Sequence, residues 1–422
     1  MRRRLIMGER IMYVDSATPL NCVFAVTIRG NFSLERLRNA LHKVQQKHPL
    51  LRASIKEDAA GVPYFVSSNK LSEIPIRIGE RVSDEDWKVQ SKLEWNKLFN
   101  GKSSPLARVV WLKDAEVSDL MLICPHCVCD GATFVALMSE ILELLDNPEK
   151  ELISYLPFNS MEGLLSQSFK VSKAKALKAS FFSVVAKLFF LFKSTKGSNP
   201  TGQNYLLHWK LDAEKTAMLT AECKAAGVSV YAALCVVLLK AFQSIKGSKA
   251  HGKVICPVDV RKFVAEIKVD HMFAFAPIAE LSVSDKPDGF WDKAKKVKED
   301  LNTKIAAMNV HELLLMSEYF HGSVKKMVKY LQTTQGTHDV TFSNMGRLGI
   351  SETYESFQVE TIYSPTVGFP WRNPNTIVVS TFKGEMDFTF CSNDSFLPEG
   401  EAIEIKNKVL ELLQQELMMN YA

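Results

Sequence analysis

The side chains best suited to chemistry lie in one short stretch, residues 124–131, which reads CPHCVCDG. A neutral histidine can accept a proton near pH 7, so His126 could act as a general base toward an alcohol, an amine or a thiol. Asp130 and Gly131 follow shortly after it, and a glycine permits a tight turn that other side chains would block. The stretch therefore predicts a proton-transfer site at a turn.

The elements on either side of this stretch could hold an imidazole in place. The apolar run at 120–124 predicts a strand that leads to the histidine, and the apolar segment 132–145 predicts a helix that follows the glycine. The strand would fix the backbone of His126, and the short loop would project its ring.

Turn signals and hydrophobic periodicity divide the chain into two halves that both mix strands and helices. In the first half we predict strands at 22–28 and 50–55, with a helix after the capping residue Ser33 between them. In the second half we predict strands at 205–211, 254–258, 340–344, 376–382 and 385–391. The shared pattern favours two related α+β lobes.

Composition and charge exclude several classes of protein. The 422 residues are 46% hydrophobic and 23% charged, as in an average globular protein. The net charge of +5 is small, and the densest basic stretch is rich in phenylalanine, so nucleic-acid binding is not expected. Residues 8–10 interrupt the basic start before an apolar core forms, and no apolar run reaches about 18 residues. We expect a cytoplasmic monomer, with peripheral membrane association as the alternative.

The eight cysteines favour a reducing compartment and do not suggest a metal site. They are too sparse for a disulfide scaffold, and several lie in apolar runs where a buried thiol is common. Cys124, His126, Cys127 and Cys129 are too closely spaced for one tetrahedral zinc site, which needs a second pair elsewhere. We therefore predict neither a metal ion nor a bound cofactor.

The spacing His-x-x-x-Asp-Gly of residues 126–131 resembles the signature of the coenzyme-A-dependent acyltransferase superfamily. This superfamily includes condensation domains of peptide synthetases, plant-type (BAHD) acyltransferases, wax ester synthases and alcohol acetyltransferases. Segments 37–52, 229–234, 257–261 and 343–346 are similar to further family signatures in the same order. The resemblance thus extends over most of the chain.

The resemblance implies two lobes like those of chloramphenicol acetyltransferase, with a tunnel between them. It implies that His126 lies midway along the tunnel and deprotonates an acceptor, which attacks a thioester without a covalent acyl-enzyme. Asp130 matches a structural aspartate that pairs with an arginine, for which Arg261 is the candidate. Ser343 and Asn344 match a strand that lines the tunnel, where a polar group could face the oxyanion.

Two departures from the family narrow the expected activity. Segment 368–374, GFPWRNP, only partly matches the plant-type motif Asp-Phe-Gly-Trp-Gly, although Trp371 remains a tunnel candidate. Pro125 stands where condensation domains usually carry a second histidine. Both departures favour a free-standing O-acyltransferase.

Residues 170–196 contain seven lysines, no acidic residue and several phenylalanines. They predict a connector helix packed across both lobes, with its lysines in water. The alternative is a helix that contacts an anionic membrane, or the mouth of a tunnel for a long-chain substrate.

We predict an N-terminal lobe at 1–170, a basic linker at 171–203 and a C-terminal lobe at 204–422. The predicted reaction moves an acyl group from acyl-coenzyme A, a co-substrate, to the hydroxyl of a hydrophobic small molecule. The alternatives are condensation-type N-acyl transfer, a donor bound to a carrier protein, and a non-catalytic lipid-binding relative.

Overall fold

The computed structural model describes residues 2–67, 72–99, 105–165, 172–192, 202–284 and 287–418. Strands and helices are mixed in both halves of the chain. The α+β class and the two-lobed arrangement predicted from the sequence are confirmed, because each half is built around its own six-stranded sheet.

The first half of the chain contains seven strands and six helices among its described residues. The strands are β1 (Arg2–Arg4), β2 (Asn21–Gly30), β3 (Ala53–Glu57), β4 (Pro63–Ser67), β5 (Ile76–Glu80), β6 (Arg108–Lys113) and β7 (Val117–Pro125). The helices are α1 (Met7–Tyr13), α2 (Leu34–Lys47), α3 (Asp86–Trp95), α4 (Gly131–Asp146), α5 (Met161–Leu164) and α6 (Lys173–Phe192).

The second half follows the same mixed order. Its strands are β8 (Asn204–Leu211), β9 (Lys253–Pro257), β10 (Ile278–Ser282), β11 (Val340–Arg347), β12 (Phe357–Ile362), β13 (Thr366–Val367), β14 (Thr376–Phe382) and β15 (Glu385–Asn393). Its helices are α7 (Ala213–Ala225), α8 (Val230–Lys246), α9 (Phe290–Ala307), α10 (Val310–Ser317), α11 (Val324–Thr333) and α12 (Glu399–Met418).

A segment of the second half belongs to the sheet of the first. The first has the order β12-β2-β7-β6-β5, with β13 also paired to β2, and the second has the order β10-β9-β11-β14-β15-β8. Strands β12 and β13 therefore leave the second half and extend the sheet of the first. Phe357 and Val359 of β12 are buried in the first core. This crossover of β12 and β13 was not predicted from the sequence.

Strand β2 joins the two halves because its side chains alternate between two faces. Cys22 and Phe24 face the core that contains side chains of α2 and α4. Val23 and Ala25 face the opposite way, toward Trp87 of α3 and toward side chains of β8 and β15. The second face thus fastens the first sheet to the second half.

The strand predicted at 50–55 begins later than expected. A 3-10 turn occupies Pro49–Arg52, and β3 follows it. Proline stands at the first position of that turn, and the adjacent Leu50 and Leu51 are both buried. A strand would send these two neighbours to opposite faces, whereas the turn buries both.

Helix α8 has the length and apolarity of a membrane span within the window Val230–Lys249, the one such segment in the described ranges. More than half of that window is buried. Ala233, Cys235 and Phe242 pack in the core of the second half. Burial inside the protein therefore accounts for the apolarity of α8.

A buried polar network ties the end of α2 to α4 and to the second half. The Lys47 Nζ atom lies 2.6 Å from a Glu140 oxygen and 2.6 Å from an Asp270 oxygen. The ring of His48 contacts the other Glu140 oxygen at 2.8 Å. The Tyr155 hydroxyl donates to Asp270 at 2.6 Å. Each carboxylate therefore has two partners.

We expect Glu140→Ala to lower the free energy of unfolding by about 3 kcal/mol, because it leaves buried Lys47 and His48 without one of their partners. Urea denaturation followed by tryptophan fluorescence measures this change. Glu116→Ala, which removes an exposed partner of Arg29, is the control and should leave stability nearly unchanged. Equal stability of both variants would contradict a structural role for the network.

Candidate active site

The loop that carries His126 is anchored to a neighbouring strand on one side and to a helix on the other. Strand β7 pairs antiparallel with β2 as far as Pro125, opposite Asn21. The backbone N–H of His126 then donates to the Leu20 carbonyl at 2.8 Å. Helix α4 begins five residues later at Gly131. The histidine backbone therefore remains attached to the sheet after the strand ends.

A backbone carbonyl determines which nitrogen of His126 is available for chemistry. Nδ1 lies 2.9 Å from the carbonyl oxygen of Cys129. Because a carbonyl oxygen only accepts, Nδ1 must carry the hydrogen, and the neutral ring keeps its lone pair on Nε2. The His126 ring is half-buried, and its centroid lies 5.6 Å from the centroid of the Phe369 ring. Phe369 in turn stacks on Trp371. This arrangement suits a proton acceptor.

Cys22 is a site residue that was not predicted from the sequence. A ring nitrogen of His126 and the sulfur atoms of Cys22 and Cys129 all lie within 4.8 Å of one another. The register of β2 against β7 puts Cys22 opposite Cys124, and so brings it to a histidine distant in sequence. Two apolar strands with turn residues between them do not specify that register, so no local pattern would have found the contact.

The neighbouring thiol and imidazole perturb each other. Burial lowers the pKa of His126, but Cys22 and backbone carbonyls favour the imidazolium and raise this pKa to about 9. Burial raises the pKa of Cys22, but Cys129 and the imidazolium favour the thiolate and lower it to about 6. Between these values the two groups share one proton and carry no net charge. His126 can accept a further proton when the shared one lies on sulfur.

The same three side chains are of types that could ligate zinc. The prediction against a metal site took account only of the cysteines close to His126 in sequence, and Cys22 comes from a different strand. With Nδ1 at the Cys129 carbonyl, a metal ion would have to take Nε2. Metal binding and proton transfer would therefore both use Nε2 of His126, and they exclude each other. The absence of a metal stays a prediction.

Asp130 is held by an arginine from the second half. Arg261 Nη1 lies 2.6 Å from one carboxylate oxygen of Asp130, and Nη2 lies 3.1 Å from the other. The backbone N–H and the hydroxyl of Thr133 also donate to Asp130, at 2.9 and 2.8 Å, which caps α4. Arg261 donates further to the carbonyl of His271 at 2.8 Å. Both carboxylate oxygens therefore have structural partners.

Glycine at position 131 is favoured by a different contact from the one predicted. It is the first residue of α4 and does not have a positive φ, so the expectation of a turn open only to glycine is wrong. A Cβ at this position would lie 3.3 Å from the side chain of Met345 on β11. Close approach of the second half is thus what favours glycine.

A cavity of about 1140 Å³ lies between the halves. Asp130, Gly131, Ser343 and Asn344 line it together with groups from α4, β9 and β11. Of the described site candidates, His126, Arg261 and Trp371 do not line this cavity. The Asn344 side-chain oxygen accepts from the N–H of Gly346 at 2.7 Å, which leaves its amide nitrogen as the part that could donate to a ligand.

We expect Arg261→Ala to lower the free energy of unfolding by about 3 kcal/mol, because it leaves the partly buried Asp130 without its counter-ion. Arg261→Lys should lose less, since the charge remains but the bidentate geometry does not. Urea denaturation of both variants measures the difference. Lys262→Ala, an exposed neighbouring cation, is the control, and an Arg261→Ala protein as stable as this control would contradict the role of the ion pair.

We expect Cys22→Ser to lower the pKa of His126 below about 9, since burial still opposes the imidazolium while the thiolate that stabilised it is gone. NMR titration of the imidazole C–H signals measures this pKa. Cys223→Ser makes the same exchange in α7 and should leave the titration unchanged. A His126 pKa that is the same in wild type and Cys22→Ser would show that the two groups are not coupled.

Comparison with known proteins identifies the family. Residues 13–255 match the family model described as "Condensation domain". Residues 203–390 match the model described as "Phthiocerol/phthiodiolone dimycocerosyl transferase C-terminus". A 134-residue stretch, 32% of this chain, is 26% identical to one of the plipastatin synthase subunits of Bacillus subtilis (strain 168). The match spans only 5% of that protein.

Solved structures share the fold over nearly the whole chain. Trichothecene 15-O-acetyltransferase from Fusarium sporotrichioides has a TM-score of 0.73 at 13% identity, with 98% of this chain and 95% of that chain covered. Polyketide synthase associated protein 5 from Mycobacterium tuberculosis has a TM-score of 0.68 at 14% identity, with 98% of each chain covered. The first condensation domain of the calcium-dependent antibiotic synthetase has a TM-score of 0.68 at 15% identity, with 99% and 97% covered.

The sequence identities to these solved structures are low, so the structures show the fold alone. The match to the condensation-domain model shows the family, because it spans more than half of the chain. Both findings agree with the resemblance carried by His126, Asp130 and Gly131. The chain belongs to the condensation-domain family, within the coenzyme-A-dependent acyltransferase superfamily.

Proposed function

We propose that the protein transfers an acyl group from acyl-coenzyme A to the hydroxyl group of a hydrophobic small molecule. The observation that carries the proposal is the ring of His126, whose Nδ1 is engaged at the Cys129 carbonyl, so that Nε2 can accept a proton when the one shared with Cys22 lies on sulfur. Membership of an acyltransferase family supports the same reaction.

The proposed step is a direct transfer. When the proton shared with Cys22 lies on sulfur, Nε2 of His126 accepts the hydroxyl proton while the acceptor oxygen attacks the thioester carbonyl carbon, and the carbonyl oxygen becomes an oxyanion. The amide nitrogen of Asn344 is the candidate donor to that oxyanion. When the intermediate collapses, the carbon–sulfur bond breaks, and the proton on Nε2 passes to the leaving thiolate. The products are an ester and free coenzyme A.

The cavity between the halves, which Asn344 lines but His126 does not, is large enough for two substrates. Its volume of about 1140 Å³ exceeds the roughly 300–1,000 Å³ that is usual for the site of one small ligand. The exposed cations Lys262, Lys268 and Arg347 lie along its lining. They are the groups proposed to meet the phosphates of the donor. Asp130 would contribute by holding the loop, not by contacting substrate.

A second candidate is amide formation, or use of a donor bound to a carrier protein. The match of residues 13–255 to the condensation-domain model favours it, as does the partial similarity to plipastatin synthase. Pro125 stands where condensation domains usually carry a histidine in addition to the one at position 126. Its presence favours the O-acyltransferase.

We expect His126→Ala to reduce alcohol-dependent release of coenzyme A at least about 100-fold, the usual contribution of a general base. A thiol reagent measures release from a panel of acyl-coenzymes A with mixed alcohols. His42→Ala, an exposed histidine on α2, is the matched control and should keep wild-type activity. Undiminished release by a folded His126→Ala protein would contradict the proposed base.

The same assay separates the alternatives. Release that depends on amines but not on alcohols would identify an N-acyltransferase. Transfer only from a phosphopantetheine-loaded carrier protein would identify a carrier-bound donor. A folded wild-type protein that consumes no thioester from either source, yet binds lipids, would be the non-catalytic relative.

A further inference from the structure

Between residues 177 and 185, helix α6 packs against the protein with small side chains and presents large apolar ones to solvent. Ala179 and Ser183 are buried. Leu177, Phe181 and Val184 are 73%, 64% and 52% exposed. A surface helix of a globular protein normally buries its apolar stripe instead. The exposed stripe therefore indicates that another apolar phase covers this face.

The apolar surface continues from α6 into a neighbouring groove. The groove has a volume of about 920 Å³ and lies between α6 and the segment 307–320. Phe182 and Val185 of α6 line one side, and Leu313 and Met316 of α10 line the other. Leu313 is itself exposed. Contiguous patches of this kind mark interaction sites, since isolated exposed apolar residues are common but clusters are not.

The charge carried by α6 and its flanking sequence has one sign. No acidic residue occurs from 163 to 211, and seven lysines lie within 170–196. Lys178 lies over the Phe182 ring, with Nζ 5.9 Å from its centroid. Lys175 forms an ion pair with Glu312 at 2.6 Å. Protein–protein interfaces are depleted in lysine, whereas lysines beside large apolar side chains are typical of helices that lie on anionic bilayers.

We infer that α6 and the adjoining groove dock on an anionic lipid bilayer. The helix lies in the plane of the interface, with Leu177, Phe181 and Val184 inserted among the acyl chains and Lys178 at the level of the phosphate groups. A 20-residue helix is about 30 Å long, enough for several lipid headgroups to contact it. This inference does not depend on the proposed acyl transfer.

Sedimentation of the full-length protein with vesicles tests the inference. We expect binding to vesicles of about 70% phosphatidylcholine and 30% phosphatidylglycerol, and at least tenfold weaker binding to pure phosphatidylcholine. Raising the salt from about 50 to 500 mM should release much of the bound protein, because screening weakens the attraction of the lysines.

A double variant, Leu177→Glu with Phe181→Glu, should reduce the binding to anionic vesicles at least tenfold. Both side chains are largely exposed, so an unchanged thermal unfolding curve is expected. Val82→Glu, at a 79% exposed valine after β5, is the matched control and should bind like wild type.

Three results would overturn the inference. The first is that the wild-type protein sediments with neither kind of vesicle. The second is that the double variant sediments as much as wild type. The third is that light scattering shows a dimer for wild type but not for the double variant. The dimer would show that a second copy of the chain covers the stripe in place of a bilayer.

Discussion

The bidentate ion pair between Asp130 and Arg261 is the contact on which the geometry of the candidate site depends. Asp130 belongs to the loop after β7, and Arg261 belongs to the segment after β9 of the second half. The pair therefore closes the two halves across the edge of the cavity. Because Asp130 also caps α4, the same contact fixes where the helix starts and where the loop can run. The position of the Cys129 carbonyl, and through it the tautomer of His126, follows from that constraint.

The sulfur atoms next to His126 give the site an electrostatic character that its motif does not reveal. An isolated half-buried imidazole would be a weaker base than usual, because burial disfavours its charged form. The Cys22 thiolate offsets that effect by stabilising the imidazolium. Since the pair shares one proton over the neutral pH range, His126 can act as a base only from the form in which the sulfur of Cys22 holds that proton.

Local signals in the sequence were sufficient to predict the strand, loop and helix around His126, and the resemblance correctly matched Asp130 with Arg261 as neighbours. Contacts that depend on strand register were not predictable. Cys22 reaches His126 only through the pairing of β2 with β7. Strands β12 and β13 join the first sheet although β11 and β14, which precede and follow them, belong to the second. The preference for glycine at 131 comes from the close approach of Met345, and no local pattern contains that contact.

Quenched-reaction mass spectrometry of the wild-type protein tests direct transfer by His126 most clearly. The protein is mixed with acyl-coenzyme A, with and without an alcohol. The masses of the intact protein and of the small molecules are then measured. We predict an unmodified protein mass in both samples and an acyl ester only where alcohol is present. An acyl group on Cys22 or His126 that disappears when alcohol is added would contradict direct transfer and would establish a covalent intermediate.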